Sequence, residues 1–112
     1  MVELRDEVRG RDIVEAAQGL LQDARWDRQF DVIWDGRLIR SLILEPEDLM
    51  AMVNAKAAAS SGVEVTIAVR PLDREMAKLC ALLLRGRGRV ARVVSTLEEA
   101  LAARRAGVLV DS

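Results

Sequence analysis

The fold is decided by a stretch that begins Phe30-Asp31-Val32-Ile33-Trp34-Asp35 and ends Glu45-Pro46-Glu47-Asp48-Leu49. Its first six residues are mostly apolar on both faces, which is typical of a short central strand with helices on either side of the sheet. The pair Asp35-Gly36 is predicted to end that strand. Pro46 suits the first position of a helix, and the two acidic residues after it complement the positive end of the helix dipole. We therefore predict a strand over 30–35, an extended segment over 38–44 that tucks under the sheet, and a helix over 46–60.

Before this stretch, the apolar pattern predicts one strand and one helix. Residues 2–8 are predicted to form a first strand at the edge of a sheet, because their alternation is broken by two acidic residues. Asp12 and Glu15 have capping-box spacing, and apolar residues then recur at helical intervals, which predicts a helix over 13–24.

After this stretch, two further strands and two further helices are predicted. Strict alternation predicts a strand over 63–69, and a second short strand is expected over 90–94. Between them a helix begins after Arg70-Pro71, and the last helix begins behind a capping box of Ser95 and Glu98 and ends at Gly107. The predicted buried stripe of the helix after Pro71 consists of Leu72, Met76, Leu79, Cys80 and Leu83.

The order β-α-β-α-β-α-β-α predicts the fold class. It indicates an α/β domain with a single, mostly parallel sheet of four to five strands, flanked by about four helices. The 112 residues are enough for one hydrophobic core without a disulfide or a metal, so residues 1–112 are predicted to form one domain.

Composition excludes several classes of function. The net charge is −1 and the sequence pI is about 5.5, so we expect no general attraction to nucleic acid or anionic lipid. No apolar run approaches the roughly 20 residues of a membrane span. The lone Cys80 excludes an intramolecular disulfide, and the N-terminus lacks the apolar region of a secretory signal, which together predict a cytoplasmic protein.

The absence of histidine removes most catalytic arrangements. Ser-His-Asp and Cys-His catalysis and His-based zinc sites all need imidazole, and the sequence has none. Cys80 lies on an apolar stripe and is predicted to be a buried thiol rather than a nucleophile. Asp31 and Asp35 face the same side of one strand, but their Cα atoms would be roughly 13 Å apart, too far to act on one bond. We expect no catalytic residue, cofactor or metal.

Polar residues cluster where the predicted strands end. In open α/β sheets, ligands bind at the carboxyl ends of the strands, beside helix N-termini with free N–H groups. The competing interpretation is a solvated polar rim that only caps helices. The candidate ligand- or partner-binding residues are Asp35, Arg37, Glu45, Arg70, Asp73 and Ser95.

The segment Arg85-Gly86-Arg87-Gly88-Arg89 is the main basic concentration. A dinucleotide fingerprint needs a strand, then glycines, then a helix, whereas here the order is helix, glycines, strand. We interpret the segment as a helix C-cap and turn whose cations favour the negative end of the helix dipole.

Several segments resemble the STAS-like superfamily, and within it small bacterial proteins related to anti-sigma-factor antagonists. The likeness covers residues 10–104. It is carried by Asp23-Ala24-Arg25-Trp26-Asp27, by the strand that ends in Asp35-Gly36, by Pro46-Glu47-Asp48-Leu49 and by Leu97-Glu98-Glu99-Ala100-Leu101. The resemblance implies a non-enzymatic binding module, often dimeric or docked onto a partner. In its remoter relatives, the CRAL/TRIO lipid-binding domains, it implies a shallow apolar pocket.

One departure from that family concerns regulation. Classical antagonists carry a phosphorylated serine at the start of the helix after the central strand, and the matching segment here reads Ile43-Leu44-Glu45-Pro46. The phosphorylatable serine is absent, so the switch does not transfer. Our hypothesis is that Glu45 supplies a permanent negative charge at that place.

The sequence therefore favours a cytoplasmic, non-enzymatic STAS-like interaction or regulatory module. We expect a protein partner or a homodimer formed through a helix face or a sheet edge, and no nucleic acid. The alternative is a small-molecule or lipid-binding protein that takes a small anionic or apolar ligand at the strand-end rim.

Overall fold

The computed structural model describes the backbone of residues 1–111 and the side chains of residues 1–104. Four strands and four helices alternate along the chain. They are β1 (Val2–Arg9), α1 (Gly10–Gln22), β2 (Val32–Ile43), α2 (Asp48–Ala59), β3 (Glu64–Ile67), α3 (Pro71–Arg85), β4 (Ala91–Val94) and α4 (Leu97–Asp111).

The strands form one four-stranded sheet in the order β1-β2-β3-β4, and all neighbours are parallel. This confirms the predicted α/β class. Because each crossover moves to the next strand in the same direction, right-handed connections place α1, α2 and α3 on one face of the sheet. Trp34 of β2 accordingly packs with Ile13 of α1 and Met52 of α2. The opposite face carries α4, where Ala100 packs against Val65.

The strand β2 is twice as long as predicted. Asp35-Gly36 does not end it, because β1 continues to pair with β2 as far as Ile43. Pairing with β3 stops at Asp35, opposite Ile67. Gly36 allows the two strands to pass closely, since a Cβ at this position would lie 2.8 Å from the carbonyl oxygen of Ile67. The segment predicted to tuck under the sheet is therefore part of the sheet.

The predicted buried stripe of α3 is wrong by part of a turn. Leu72 and Leu79 are 59% and 39% exposed, whereas Cys80 is buried as predicted. The buried face instead carries Asp73, Cys80, Ala81 and Leu84, and it packs against Ala91 of β4 and Val53 of α2. Small residues on the inner face let α3 lie close to the sheet.

Three helix starts differ from prediction by one to three residues. In α1 the carboxylate of Asp12 accepts the backbone N–H of Arg9 at 2.8 Å, so Asp12 lies inside the first turn. In α4 the capping pair is Thr96 and Glu99 rather than Ser95 and Glu98, with the Glu99 N–H donating to Thr96 Oγ1 at 3.1 Å. The helix α2 begins at Asp48, two residues after Pro46.

Candidate functional site

A partly open cavity of about 50 Å³ lies on the face of the sheet that carries α1, α2 and α3. One water molecule needs roughly 10–15 Å³ of such volume, so the cavity has room for about four water-sized groups. Most of its wall is apolar, and its polar lining residues are Lys56, Thr66, Asp73 and Cys80. An apolar pocket with a few converging polar groups is the usual form of a small-ligand site.

Asp73 is the polar residue of this cavity with the least satisfied side chain. It lies in the first turn of α3 and is 4% exposed. Among the residues that the structure describes, neither carboxylate oxygen has a hydrogen-bond partner. The nearest cation is Arg70, whose Nε lies 3.5 Å from Oδ2 without forming a hydrogen bond. Burial raises the pKa of the Asp73 carboxyl, and the charge of Arg70 offsets only part of that effect.

Trp34 forms part of the cavity wall from the sheet side. The indole is 1% exposed, and its Nε1–H donates to no acceptor in the described part of the chain. The Lys56 ammonium lies 4.8 Å from the centroid of the same ring, within cation–π range. The cavity wall that contains Asp73 therefore has one N–H donor without an acceptor, on Trp34, and one cation, Lys56, that already has partners.

Those partners form a buried ionic cluster of Lys56, Glu64 and Arg89. Lys56 Nζ lies 3.4 Å from Glu64 Oε1, and Arg89 Nη2 lies 3.8 Å from Glu64 Oε2. The Arg89 guanidinium also donates to the carbonyl of Gly62 at 3.0 Å. Burial lowers the pKa of Arg89, while the charge of Glu64 opposes that shift. Arg89 was predicted to be a cation of the turn, and in the structure it links that turn to Glu64 of β3.

The predicted site residues did not include Lys56 and Glu64, although the sequence carries a signal for each. Lys56 follows Met52 and Val53 by four and three residues, so it shares their buried face of α2. Glu64 alternates with Val63 and Val65 along β3 and so faces the helices, where an acidic residue needs a partner. A lysine on one apolar face and a glutamate on the facing one together indicate a buried pair.

Asp35 and Arg37 form a second site on the other face of the sheet. Asp35 lies between Trp34 and Gly36, which both line the cavity, so its side chain points to the face that carries α4. Arg37 donates to both carboxylate oxygens, at 2.9 and 2.7 Å, and these bonds lower the pKa of the Asp35 carboxyl. This carboxylate is fully satisfied within the chain.

The two other candidate residues lie apart from both aspartates. Glu45 is exposed, and its backbone N–H donates to Asp48 at 2.7 Å, so Asp48 rather than Glu45 provides the carboxylate at the start of α2. Ser95 Oγ accepts from Arg74 Nη1 at 2.5 Å. The six predicted residues are thus distributed over both faces and the rim, and only the Asp35–Arg37 and Arg70–Asp73 pairs are brought together.

The remaining features of the structure give less support for a functional site. Cys80 is buried, and burial raises the pKa of its thiol, which disfavours the reactive thiolate. Two larger clefts, of about 220 and 470 Å³, are open to solvent. Among the described residues, no three Cys, Asp or Glu side chains converge as a metal site, and none of the helices has the length and apolar character to cross a bilayer.

Comparisons of the chain with models of known families, with curated proteins and with solved structures found no match.

Proposed function

We propose that this protein is a non-enzymatic binding protein that holds a small, mostly apolar ligand in the cavity lined by Asp73 and Trp34. The observation that carries the proposal is the carboxylate of Asp73 in an apolar wall, which has Arg70 as a counter-ion at 3.5 Å but no hydrogen-bond partner among the described residues. An unsatisfied buried charge costs free energy, and a folded chain without a use for it would gain stability by replacing it. The unpartnered indole N–H of Trp34 in the same wall supports the same function.

The size of the cavity restricts the ligand to a few non-hydrogen atoms unless the wall adapts. Met52 and Met76 both line it. Methionine side chains change rotamer at little cost and fill irregular space, so these two can withdraw from a somewhat larger ligand without backbone movement.

A fragment screen by methyl NMR tests this function. Among small neutral, cationic and anionic compounds, those that bind should shift the methyl signals of Ile13, Ile39 and Met52, which line the cavity, and leave that of Ile33 on the other face unchanged. If no compound of any charge shifts the three lining methyls, the proposal is wrong.

A filled cavity provides the matched control. Ala77→Leu adds three carbons to the cavity wall and should abolish these shifts. Ala51→Leu adds the same carbons on the exposed side of α2 and should leave them unchanged.

A protein-interaction module, paired with a second copy of itself, is the second candidate. It is favoured by Leu72, Leu79 and Leu82, which are 59%, 39% and 59% exposed on the outer face of α3. Two α3 helices paired antiparallel about residue 77 would set Leu72 beside Leu82 of the second copy. Within one chain Glu75 and Lys78 form an exposed ion pair at 3.6 Å. The same pairing of helices would also bring Glu75 close to Lys78 of the second copy, so the charges would be complementary.

Charge exchange tests this pairing. Glu75→Lys should weaken dimer formation in sedimentation or light scattering, and Glu75→Lys combined with Lys78→Glu should restore it. Leu79→Glu should abolish the dimer, whereas Leu21→Glu, at an exposed leucine of α1, should not. A monomer at all concentrations would exclude this candidate.

The STAS-like resemblance and a cytoplasmic location remain part of the proposal. An α/β sheet with helices on both faces supports the first, and the single buried thiol supports the second. The role assigned to Glu45 is tested by Glu45→Ser: a variant that gains no phosphorylation and binds its partner unchanged would dismiss it.

A further inference from the structure

We propose that the cavity selects a small primary amine, whose ammonium group donates to the Asp73 carboxylate while its alkyl part lies in the apolar wall. This inference rests on the proposed function and names its ligand class. Asp73 lines the cavity, is 4% exposed and has no hydrogen-bond partner among the described residues on either oxygen.

The charges around the cavity favour a cation. Lys56 is engaged with Glu64 and with the indole of Trp34. Arg70 is 39% exposed in its side chain and lies 3.5 Å from Asp73 through Nε, and neither this contact nor its buried Nη1 forms a hydrogen bond to Asp73. Asp73 is therefore the charge of this wall that the chain leaves least compensated.

An ammonium group satisfies what this site lacks. It carries three N–H donors and a full charge, so it can form charge-assisted hydrogen bonds to both oxygens of Asp73. These bonds are strengthened because the surrounding wall is mostly apolar. A carboxylate ligand would instead place a second negative charge beside Asp73.

A neutral alcohol supplies the same alkyl group without the charge. Its hydroxyl can donate to one oxygen of Asp73 and accept from the Trp34 N–H. Because hydrogen bonds to charged groups are stronger when both partners are ionised, the amine should bind about ten- to hundredfold more tightly than the alcohol.

The experiment compares three probes that share one alkyl chain: propylamine, propanol and propionate. Each is titrated into the intact protein, and binding is followed by the methyl signals of Ile13, Ile39 and Met52. We expect propylamine to bind most tightly and propionate to show no saturable shift. Asp73→Asn, which preserves shape and removes the charge, should weaken propylamine binding at least tenfold and change propanol binding little.

The control substitution is Glu15→Gln, which also converts a carboxylate to an amide but lies exposed on α1. It should change none of the three affinities, so a general effect of net charge would be recognised.

The outcomes separate this inference from the function on which it rests. If propanol binds as tightly as propylamine, or if Asp73→Asn leaves amine binding unchanged, the amine specificity is overturned while the ligand-binding function stands. If only ordered water occupies the cavity and no probe or fragment of any charge shifts the lining methyls, both are overturned.

Discussion

Two buried aspartates, Asp35 and Asp73, have opposite environments within the same chain. Asp35 accepts two hydrogen bonds from Arg37, which lower the pKa of its carboxyl despite burial. Asp73 accepts none in the described part of the chain, and burial raises its pKa. The first carboxylate is thus stabilised in the folded state as an anion, and the second is destabilised as one.

We predict that Asp73→Asn stabilises the protein at neutral pH, by roughly 0.5–2 kcal/mol, the usual size of a single stabilising substitution. The folded state holds the Asp73 proton more tightly than the unfolded state does. The free energy of unfolding of the native sequence therefore falls as pH rises from below the unfolded pKa to above the raised folded pKa. Chemical denaturation at several pH values should show the gain at pH 7 and its disappearance at a pH below both values.

Asp35→Asn is the matched control and should act in the opposite direction. Its folded pKa is lowered, so its stabilising contribution is present above the unfolded pKa and is lost as pH falls through the folded pKa. Because the Arg37 side chain is 40% exposed, we expect a loss of only about 1–2 kcal/mol at pH 7. If both asparagine variants lower stability equally, the contrast between the two carboxylates is wrong.

A glycine pair tests the close passage of β2 past β3. Gly36→Ala places a Cβ 2.8 Å from the Ile67 carbonyl oxygen, and we expect it to destabilise the domain by about 1–3 kcal/mol. Gly19→Ala has no atom within 4 Å of its added Cβ among the described residues and lies inside α1, where alanine is favoured by about 1 kcal/mol. Thermal denaturation should therefore show shifts of opposite sign.

Rim residues could be chosen from the sequence, but not the face on which each lies. Asp35, Arg37, Arg70 and Asp73 were singled out because they end strands or begin helices, and the structure pairs them two by two. The face of Asp35 and Arg37 depends on the full length of β2, which the Asp35-Gly36 pair did not reveal because glycine there serves close packing rather than a turn.

At the scale of elements, hydrophobic periodicity predicted that α3 is a helix but not which of its faces is buried. The helix contains Leu72, Leu79, Leu82, Leu83 and Leu84, so more than one stripe satisfies helical spacing. The stripe that is buried is selected by fit to the sheet, where Ala81 and Cys80 allow close contact, and fit is a tertiary property. The order, number and type of all eight elements were predictable because each has its own local pattern.

The buried Lys56–Glu64 ion pair links α2 to β3. We predict that Lys56→Met destabilises the domain by about 3 kcal/mol, because it leaves Glu64 buried with only the more distant Arg89. Adding Glu64→Gln should recover part of that loss, so the double variant is more stable than the sum of the single effects predicts. Urea denaturation of all four proteins measures the coupling.

The exposed Lys78–Glu75 pair of α3 is the control for the double-mutant cycle of Lys56 and Glu64. Lys78→Met should change stability by less than about 0.5 kcal/mol, since an exposed pair contributes little. A coupling near zero between Lys56 and Glu64 would mean that the buried pair is as weak as the exposed one.

At the scale of the whole molecule, the sheet is covered unevenly. β3 lies between two strands, with α4 over Val65 and Ile67 and the other helices over Glu64. β1 lies at an edge and exposes Glu3, Arg5 and Glu7. The part of β2 after Asp35 pairs with β1 and extends past the end of β3.

This arrangement predicts the order of amide hydrogen exchange. Local opening is easiest where few apolar contacts must be broken, so the amides of β1 and of β2 after Gly36 should exchange at least tenfold faster than those of β3. Fast exchange of β1 could result from its edge position or from its sparse cover by helices. The edge strand β4 distinguishes these causes, because it also lies at an edge but packs against α3 through Ala91 and against α4 through Val94. Its amides should therefore exchange at an intermediate rate. If β4 exchanges as fast as β1, edge position rather than helix cover decides local stability. If β1 exchanges as slowly as β3, the packing of Val8 onto α1 is enough to keep the edge strand from opening.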